Sequence, residues 1–268
     1  MGSMADFYRG KNIVITGASS GIGRDLALLF AGWGARLALS ARRKELLDEV
    51  KVAAEKAGSE AIVYAVDVTD RAAMQAMAED LLARWGHVDI VIGNAGVGGL
   101  NPADNFDLDI HKRTYDINCM GLAYTLMPYI PSMIARKSGH LVGVSSLAAF
   151  RGRPNAASYS SAKSAQGVFL EAVRMDLRKH GIKVSAVHPG FVETPMTAHD
   201  EFNMPFKIGV RKSSLLIANA LRHAKPRFLY PWQMKWLVRF EGLLPCAVYD
   251  WLLPRVSGQR DDIRPRTL

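Results

Sequence analysis

The stretch Ile13-Val14-Ile15-Thr16-Gly17-Ala18-Ser19-Ser20-Gly21-Ile22-Gly23 decides how this chain is read. Three β-branched residues in a row, with no polar interruption, describe a strand covered on both faces, as in a parallel sheet. The run ends on Gly17, and a helical pattern over 21–33 follows. Gly17 permits a tight turn, and Gly21 and Gly23 let backbone and helix approach closely. The free amides of such a turn, with the positive end of the helix dipole behind them, face a pyrophosphate well. Three glycines alone occur in many loops; the strand before them and the helix after them give this turn its weight. The residues expected to line the phosphate are Gly17, Ser19, Ser20, Gly21, Ile22 and Gly23.

The rest of the chain repeats that opening. Apolar runs at 12–16, 36–40, 61–66, 88–93, 140–145 and 183–188 predict strands, and 227–230 a last one. Between them lie helical patterns at 21–33, 43–57, 71–85, 107–136 and 158–180, with another at 213–223. Thr69-Asp70 offers a cap for the third helix, and Gly58, Gly86, Gly139 and Gly181 stand where helices should stop. This alternation predicts an α/β fold, a Rossmann-like doubly wound parallel sheet of about seven strands with helices on both faces. We expect one domain over 8–230. Residues 231–268, with three Trp before Pro254, form a C-terminal helical extension rather than an independent domain. Ligands of such sheets bind beyond the carboxyl ends of the strands.

Composition narrows the class. The chain has 268 residues, 49% of them hydrophobic, enough for one large core. The formal charge is +9, but the Lys and Arg are scattered, without the basic run that marks a nucleic-acid patch. A soluble basic enzyme is expected, and a basic surface favours capture of a phosphorylated cofactor. Cys119 and Cys246 lie far apart with no CxxC, which suits packing in a reducing compartment, and a cytoplasmic location is expected. Met1-Gly2-Ser3 ahead of Met4 reads as a remnant of expression, with no charged-then-apolar leader after it. His87, His111, His140, His180, His188, His199 and His223 show no ligand spacing, so no metal site is expected.

The end of the second strand bears on the dinucleotide. An acidic residue there, about 20 positions after the glycine turn, would bond the ribose 2′-hydroxyl of NAD. This chain instead reads Leu39-Ser40-Ala41-Arg42-Arg43. A carboxylate would repel a 2′-phosphate, whereas guanidinium pairs with it bidentately. NADP(H) is therefore expected. Arg42 is the preferred contact because it comes first after the strand; Arg43 is expected to contact the cofactor too, or only to stack or point outward.

Tyr159-Ser160-Ser161-Ala162-Lys163 carries the sharpest chemistry. Four residues apart on a helix, Tyr159 and Lys163 share a face. A phenol titrates near pH 10, and an adjacent ammonium favours its phenolate, so the pair can exchange a proton near neutrality. Ser145-Ser146 closes the fifth strand thirteen residues before Tyr159.

The spacing Thr16-Gly17-x-x-x-Gly21-x-Gly23, the run Asn94-Ala95-Gly96, Asn118, Ser146, Tyr159-x-x-x-Lys163 and Pro189-Gly190 occur in the order seen in the short-chain dehydrogenase/reductase family. The chain resembles that family over about residues 10–230, with Gly93 where the family often has a second Asn. The resemblance implies further roles. Asp67 and Val68 would hold the adenine, although Asp67 also suits a cap for the next helix. Pro189, Gly190, Val192 and Thr194 would hold the nicotinamide carboxamide. Ser146 would bond the substrate oxygen, Tyr159 would act as acid or base, Lys163 would bond the nicotinamide ribose, and Asn118 would position a water linking Lys163 to solvent. A structural role for a buried Asn118 is equally compatible with the residues.

The expected function is hydride transfer between NADP(H) and a ketone, aldehyde or secondary alcohol. An NAD-linked dehydrogenase and a cofactor-binding protein without turnover are the alternatives. Substrate choice should sit in 98–106, 148–155 and a lid over 195–210, whose Met196, Phe202, Met204 and Phe206 suggest an apolar or bulky substrate. A homo-dimer or homo-tetramer is expected. The segment 232–253 is expected to pack on the domain or on a second subunit; peripheral membrane contact, suggested by its Trp and Leu with Lys235, Arg239 and Arg255, is the less favoured reading.

Overall fold

The computed structural model describes residues 2–198 and 204–257, with side chains through 253. Phe202 and His199, the side chain of Arg255 and residues 258–268 of the expected extension therefore lie outside the described residues. Seven parallel strands form one sheet in the order β3-β2-β1-β4-β5-β6-β7. They are β1 (Asn12–Thr16), β2 (Arg36–Ala41), β3 (Ala61–Ala65), β4 (Ile90–Gly93), β5 (His140–Val144), β6 (Lys183–Pro189) and β7 (Arg227–Tyr230). Strand β1 pairs with β2 on one side and β4 on the other, Ile13 lying opposite both Leu37 and Ile90. The winding reverses at that seam, which opens a crevice at the carboxyl ends of β1 and β4.

The sheet is covered twice, which explains the unbroken apolar runs. Ile13 and Ile15 of β1 and Leu37 and Leu39 of β2 pack against Leu26 and Phe30 of α2 (Gly21–Ala31), Leu47 and Val50 of α3 (Lys44–Lys56), and Ile217 and Leu221 of α9 (Val210–Arg222). Val14, Ala38, Val91 and Leu141 point the other way. They meet Met77 and Leu81 of α4 (Arg71–Trp85), Leu122 and Leu126 of α6 (Gly121–Leu126), and Leu170 and Leu177 of α8 (Ala157–Leu177). Helix α4 starts where the sequence placed it, with the Asp70 carboxylate accepting the Ala73 amide at 3.0 Å.

Two segments differ from their expected form. The helix expected over 107–136 is a chain of pieces: α5 (Leu108–Tyr115), a π-helical turn (Asp116–Met120), α6, a 3₁₀ turn (Met127–Tyr129) and α7 (Ile130–Arg136). Pro128 and Pro131 lack the N–H that an α-helical ladder needs, and the wide turn falls on Asn118. At the other end of the chain, Ser3 belongs to the fold. It caps α1 (Met4–Tyr8), accepting the Asp6 amide at 3.1 Å while its own N–H donates to the Asp6 carboxylate at 2.8 Å. Helix α1 delivers Tyr8 into the core, where its hydroxyl donates to the Ala218 carbonyl at 2.6 Å.

Beyond β7 the chain forms α10 (Trp232–Leu243) and α11 (Cys246–Ser257). Met234 and Val238 of α10 close a small core with Leu147 and Leu229. The side chains of Arg151 and Arg153 fasten both helices to the loop that follows β5. Arg153 pairs with the buried Glu241 at 2.7 Å, and Arg151 donates to the Glu241 and Leu244 carbonyls and lies over the Tyr249 ring at 3.9 Å.

Candidate active site

One cleft runs along the carboxyl ends of the strands and brings the expected residues together. Gly17, Ser19, Ser20, Gly21, Ile22, Arg42, Arg43, Asp67, Val68, Asn94, Ala95, Gly96, Ser146, Tyr159, Lys163, Pro189, Gly190, Val192 and Thr194 all line it. Of the candidate site residues only Gly23 and Asn118 are not on its wall, and both stand directly behind it.

At the glycine turn the backbone itself shapes the cleft. Gly17 has φ +67°, and a Cβ there would come within 2.8 Å of the Ala95 backbone. At Gly23 a Cβ would collide with the Gly17 carbonyl and the Asn94 amide. Asn94 locks this approach by donating from its side-chain amide to the carbonyls of Thr16 at 3.1 Å and Gly17 at 3.3 Å. The Thr16 hydroxyl accepts the Asn94 and Ala95 amides in return. Across the cleft Thr194 approaches the place a side chain would take at Gly21, its methyl lying 3.3 Å away.

The two arginines behave differently from each other. Arg43, allowed to stack or point outward, instead reaches back over the turn and donates to the Ser19 and Ser20 hydroxyls, each at 3.1 Å. Arg42, the preferred contact, stands 3.9 Å from the Asp67 carboxylate. Its charge is thus shared with Asp67, and the geometry favours Arg43 as the nearer guanidinium to the phosphate turn. Asp67 is no helix cap: its carboxylate accepts the Thr69 amide at 3.0 Å and hydroxyl at 2.9 Å, and Asp70 caps α4. Val68 is buried against Gly121 of the long central helix, where an added Cβ would meet it at 2.7 Å.

Ser146, Tyr159 and Lys163 stand at the other end of the cleft. Lys163 is buried, and its ammonium donates to the Val144 carbonyl at 3.1 Å and stands 5.7 Å from the centre of the Tyr159 ring. Removal from water pushes its pKa from 10.5 down to about 8, so it approaches proton exchange in the neutral range. The backbone that carries it is fixed too, with Ser145 Oγ donating to the Lys163 carbonyl at 2.8 Å. Ser146 accepts the Ala148 amide at 3.1 Å through its hydroxyl oxygen, which leaves its O–H proton to donate to a substrate. Gly96 keeps the gap between Asn118 and Lys163 clear: a Cβ there would lie 2.8 Å from Asn118 Oδ1 and 3.2 Å from Lys163 Nζ.

Asn118 is fully buried and its side-chain amide is engaged at both its oxygen and its nitrogen. Oδ1 accepts the Val97 amide at 3.1 Å, and Nδ2 donates to the Val97 carbonyl at 3.0 Å. Its backbone carbonyl accepts Gln166 Nε2 at 2.5 Å. The π-helical turn thus fixes the Gly96-Val97 wall of the cleft directly.

Sequence reasoning missed four supporting side chains. His188, read only as core or surface, has Nδ1 3.2 Å from the Ser146 carbonyl and packs edge-on against Phe150. Burial holds its pKa down at about 4, so the ring is neutral and Nδ1–H is the donor. Gln166, one turn beyond Lys163, holds Asn118. Asn101 and His111 both bond the Ser158 hydroxyl at 3.1 Å, beside Tyr159. Only His188 offered a signal, a polar residue inside an apolar strand that ends at Pro189-Gly190.

A strand-turn-helix phosphate cradle joined to a Ser-Tyr-Lys cluster at a topological switch point defines a dinucleotide-dependent oxidoreductase. The model of the short chain dehydrogenase family matches residues 11–204, and the chain belongs to that family. It is 37% identical over 240 residues to an uncharacterized oxidoreductase of Myxococcus xanthus, covering 90% of this chain and 95% of the relative. A fatty acyl-CoA reductase of Acinetobacter baylyi is 34% identical over 192 residues, 71% of this chain and 65% of that protein. Among solved structures, a short chain dehydrogenase/reductase from Burkholderia phymatum in complex with NAD has a TM-score of 0.80 at 26% identity, covering 87% and 93% of the two chains. A 3-ketoacyl-ACP reductase from Sinorhizobium meliloti has a TM-score of 0.76 at 29% identity, covering 84% and 99%. Members of the family bind NAD or NADP. Among the described residues no helix is long and apolar enough to cross a membrane.

Proposed function

We propose that the protein transfers a hydride between NADP(H) and a ketone, aldehyde or secondary alcohol, with Tyr159 as the proton donor or acceptor. The observation that carries this reading is one cleft with a glycine phosphate turn and two guanidiniums at one end and Ser146, Tyr159 and Lys163 at the other. The cradle that side chains at Gly17 or Gly23 would fill fits a dinucleotide. When bound, the nicotinamide supplies the hydride chemistry. Ser146 donates its O–H to the carbonyl oxygen of the substrate, and Tyr159 gives that oxygen its proton during reduction or takes it back during oxidation. Lys163 holds a positive charge beside the phenol and stabilises its phenolate, while Asn118, Gln166 and His188 fix the backbone that carries these groups. No metal takes part in this scheme.

NADP(H) rather than NAD is inferred from Arg42 and Arg43 and from the lack of a carboxylate at the end of β2. The NAD of the Burkholderia phymatum complex belongs to that protein. Arg43, held on the Ser19 and Ser20 hydroxyls, presents a charge that no carboxylate pairs with among the described residues, a setting that suits a 2′-phosphate. Val97, Pro195 and Met196, which line the same cleft as Tyr159, support an apolar substrate. Exposed Val168 and Met175 on α8 support a homo-dimer or homo-tetramer. A cytoplasmic enzyme suits two free cysteines, Cys119 and Cys246.

The test is a titration of NADPH and NADH followed by a carbonyl and alcohol panel. NADPH should bind at least about tenfold more tightly. Arg43→Ala should erase most of that preference and Arg42→Ala part of it. Equal affinities in the parent protein would remove the case for both arginines.

A further inference from the structure

Helix α10 is two-faced in an unusual sense, because both faces are apolar. Met234 and Val238 face the core, while Trp232, Trp236, Phe240 and Leu243 share the opposite side. These positions recur at intervals of three and four residues, so their side chains form one stripe along the helix. They are 68%, 58%, 58% and 84% exposed. On α11, Val248 and Trp251 are exposed as well. Lys235 and Arg239 flank the stripe, and both lie over the Trp236 ring, at 5.6 and 5.3 Å.

We propose that this face of α10 and α11 docks onto an anionic phospholipid surface, lying in the interface without crossing it. The charges select this occupant. Between 232 and 253 the only carboxylates are Glu241 and Asp250. Glu241 is turned inward and consumed by Arg153, so the exposed charge beside the stripe is cationic. A second copy of the chain docked through the same patch would bring its own Lys235 and Arg239 into the interface, with the Asp250 of each copy as the only exposed carboxylate of 232–253 to offset them. Anionic headgroups complement the same cations, and indole rings suit the boundary between headgroup and acyl chain. The net charge of +9 adds long-range attraction to such a surface. The arrangement also assigns the aromatic stripe a burial partner that the domain does not supply. The core-facing side of α10 rests on Leu147, the residue after Ser146, so the docked helix is part of the wall that supports the catalytic cluster. This surface is independent of the reaction the site performs.

Flotation of the full chain with two vesicle compositions tests the proposal: phosphatidylcholine alone, and phosphatidylcholine with about 30 mol % phosphatidylserine. The chain should float with the anionic vesicles and release in about 0.5 M salt. Trp232→Ser/Trp236→Ser and Lys235→Glu/Arg239→Glu should each weaken binding by roughly tenfold or more. Trp232, Trp236 and Arg239 are exposed and Lys235 is half-buried, and unchanged melting and cofactor binding show that both variants fold. Absence of binding by the parent protein, or full binding by both folded variants, overturns the proposal. So does a sedimentation experiment in which the parent self-associates and the tryptophan variant is monomeric, since the face would then belong to a second copy.

Discussion

Replacing Lys163 by Met should make the protein more stable while removing its turnover, and the size of the effect follows from the site. The ammonium is buried and hydrogen-bonds the Val144 carbonyl. Loss of water lowers its pKa from 10.5 to about 8, a gap that corresponds to about 3 kcal/mol of penalty on the charged form at pH 7. Methionine fills a similar volume without charge. The variant gives up one hydrogen bond, about 1 kcal/mol, so the net gain is about 2 kcal/mol. For a chain of this size that raises Tm by about 4–6 °C in the cofactor-free protein. The sign with pH is fixed. Between pH 8 and 10.5 the unfolded lysine holds a proton that the folded one has lost, so the parent protein gains stability as pH rises through that window. The variant lacks that gain, so its advantage should shrink above pH 8, vanish at about pH 9.5 and turn into a deficit of about 1 kcal/mol by 10.5. Differential scanning calorimetry across pH 7–10.5 measures this. A variant that melts below the parent at pH 7, with a pH-independent difference, would refute the reasoning.

Other outcomes follow from the same geometry. Gly23→Ala should weaken dinucleotide binding by roughly a hundredfold, read by fluorescence titration, because its Cβ collides with the Gly17 carbonyl and the cradle must open. His188→Phe should lower kcat about tenfold with little change in KM, since the Ser146 carbonyl loses its donor, and His188→Asn should recover part of the loss. Arg153→Met should lower stability by about 3 kcal/mol by leaving Glu241 buried without its partner, and limited proteolysis should then cut the α10–α11 segment first. Burial holds His140 and His188 at about 4, so the stability they contribute is present above pH 6.5 and lost as pH falls toward 4; melting curves of the parent should show that loss, and His140→Asn/His188→Asn should flatten it.

Much of this was legible in the sequence because burial on both faces leaves so plain a mark. The runs around Val14 and Val91 read as strands covered on both faces, as in a parallel sheet, and the glycine turn pointed to the end at which a ligand is expected. Tyr159, Lys163 and Ser146 were readable because their spacing survives folding: one helix face and one strand end. What could not be read depends on side-chain reach. No pattern says that Arg43 folds back onto Ser19 and Ser20 while Arg42 turns toward Asp67. Nor does periodicity show that Pro128 and Pro131 break the long helix, or that Asn118 spends its amide on Val97 across a π-helical turn. His188 was hidden for the opposite reason: a single polar residue in a buried strand looks the same whether it fills space or holds a catalytic backbone. Helix α10 was half legible, since its Trp and Leu announced an apolar face without showing that there are two.

The most direct test of the account is deuteride transfer under single-turnover conditions, from NADPH deuterated at the nicotinamide C4 to the carbonyl carbon of the best substrate, in the parent protein and in Tyr159→Phe. The account predicts label on the carbinol carbon at a rate that falls by about 10²–10⁴-fold in the variant, with NADPH still bound. Transfer at the parent rate by Tyr159→Phe would contradict it.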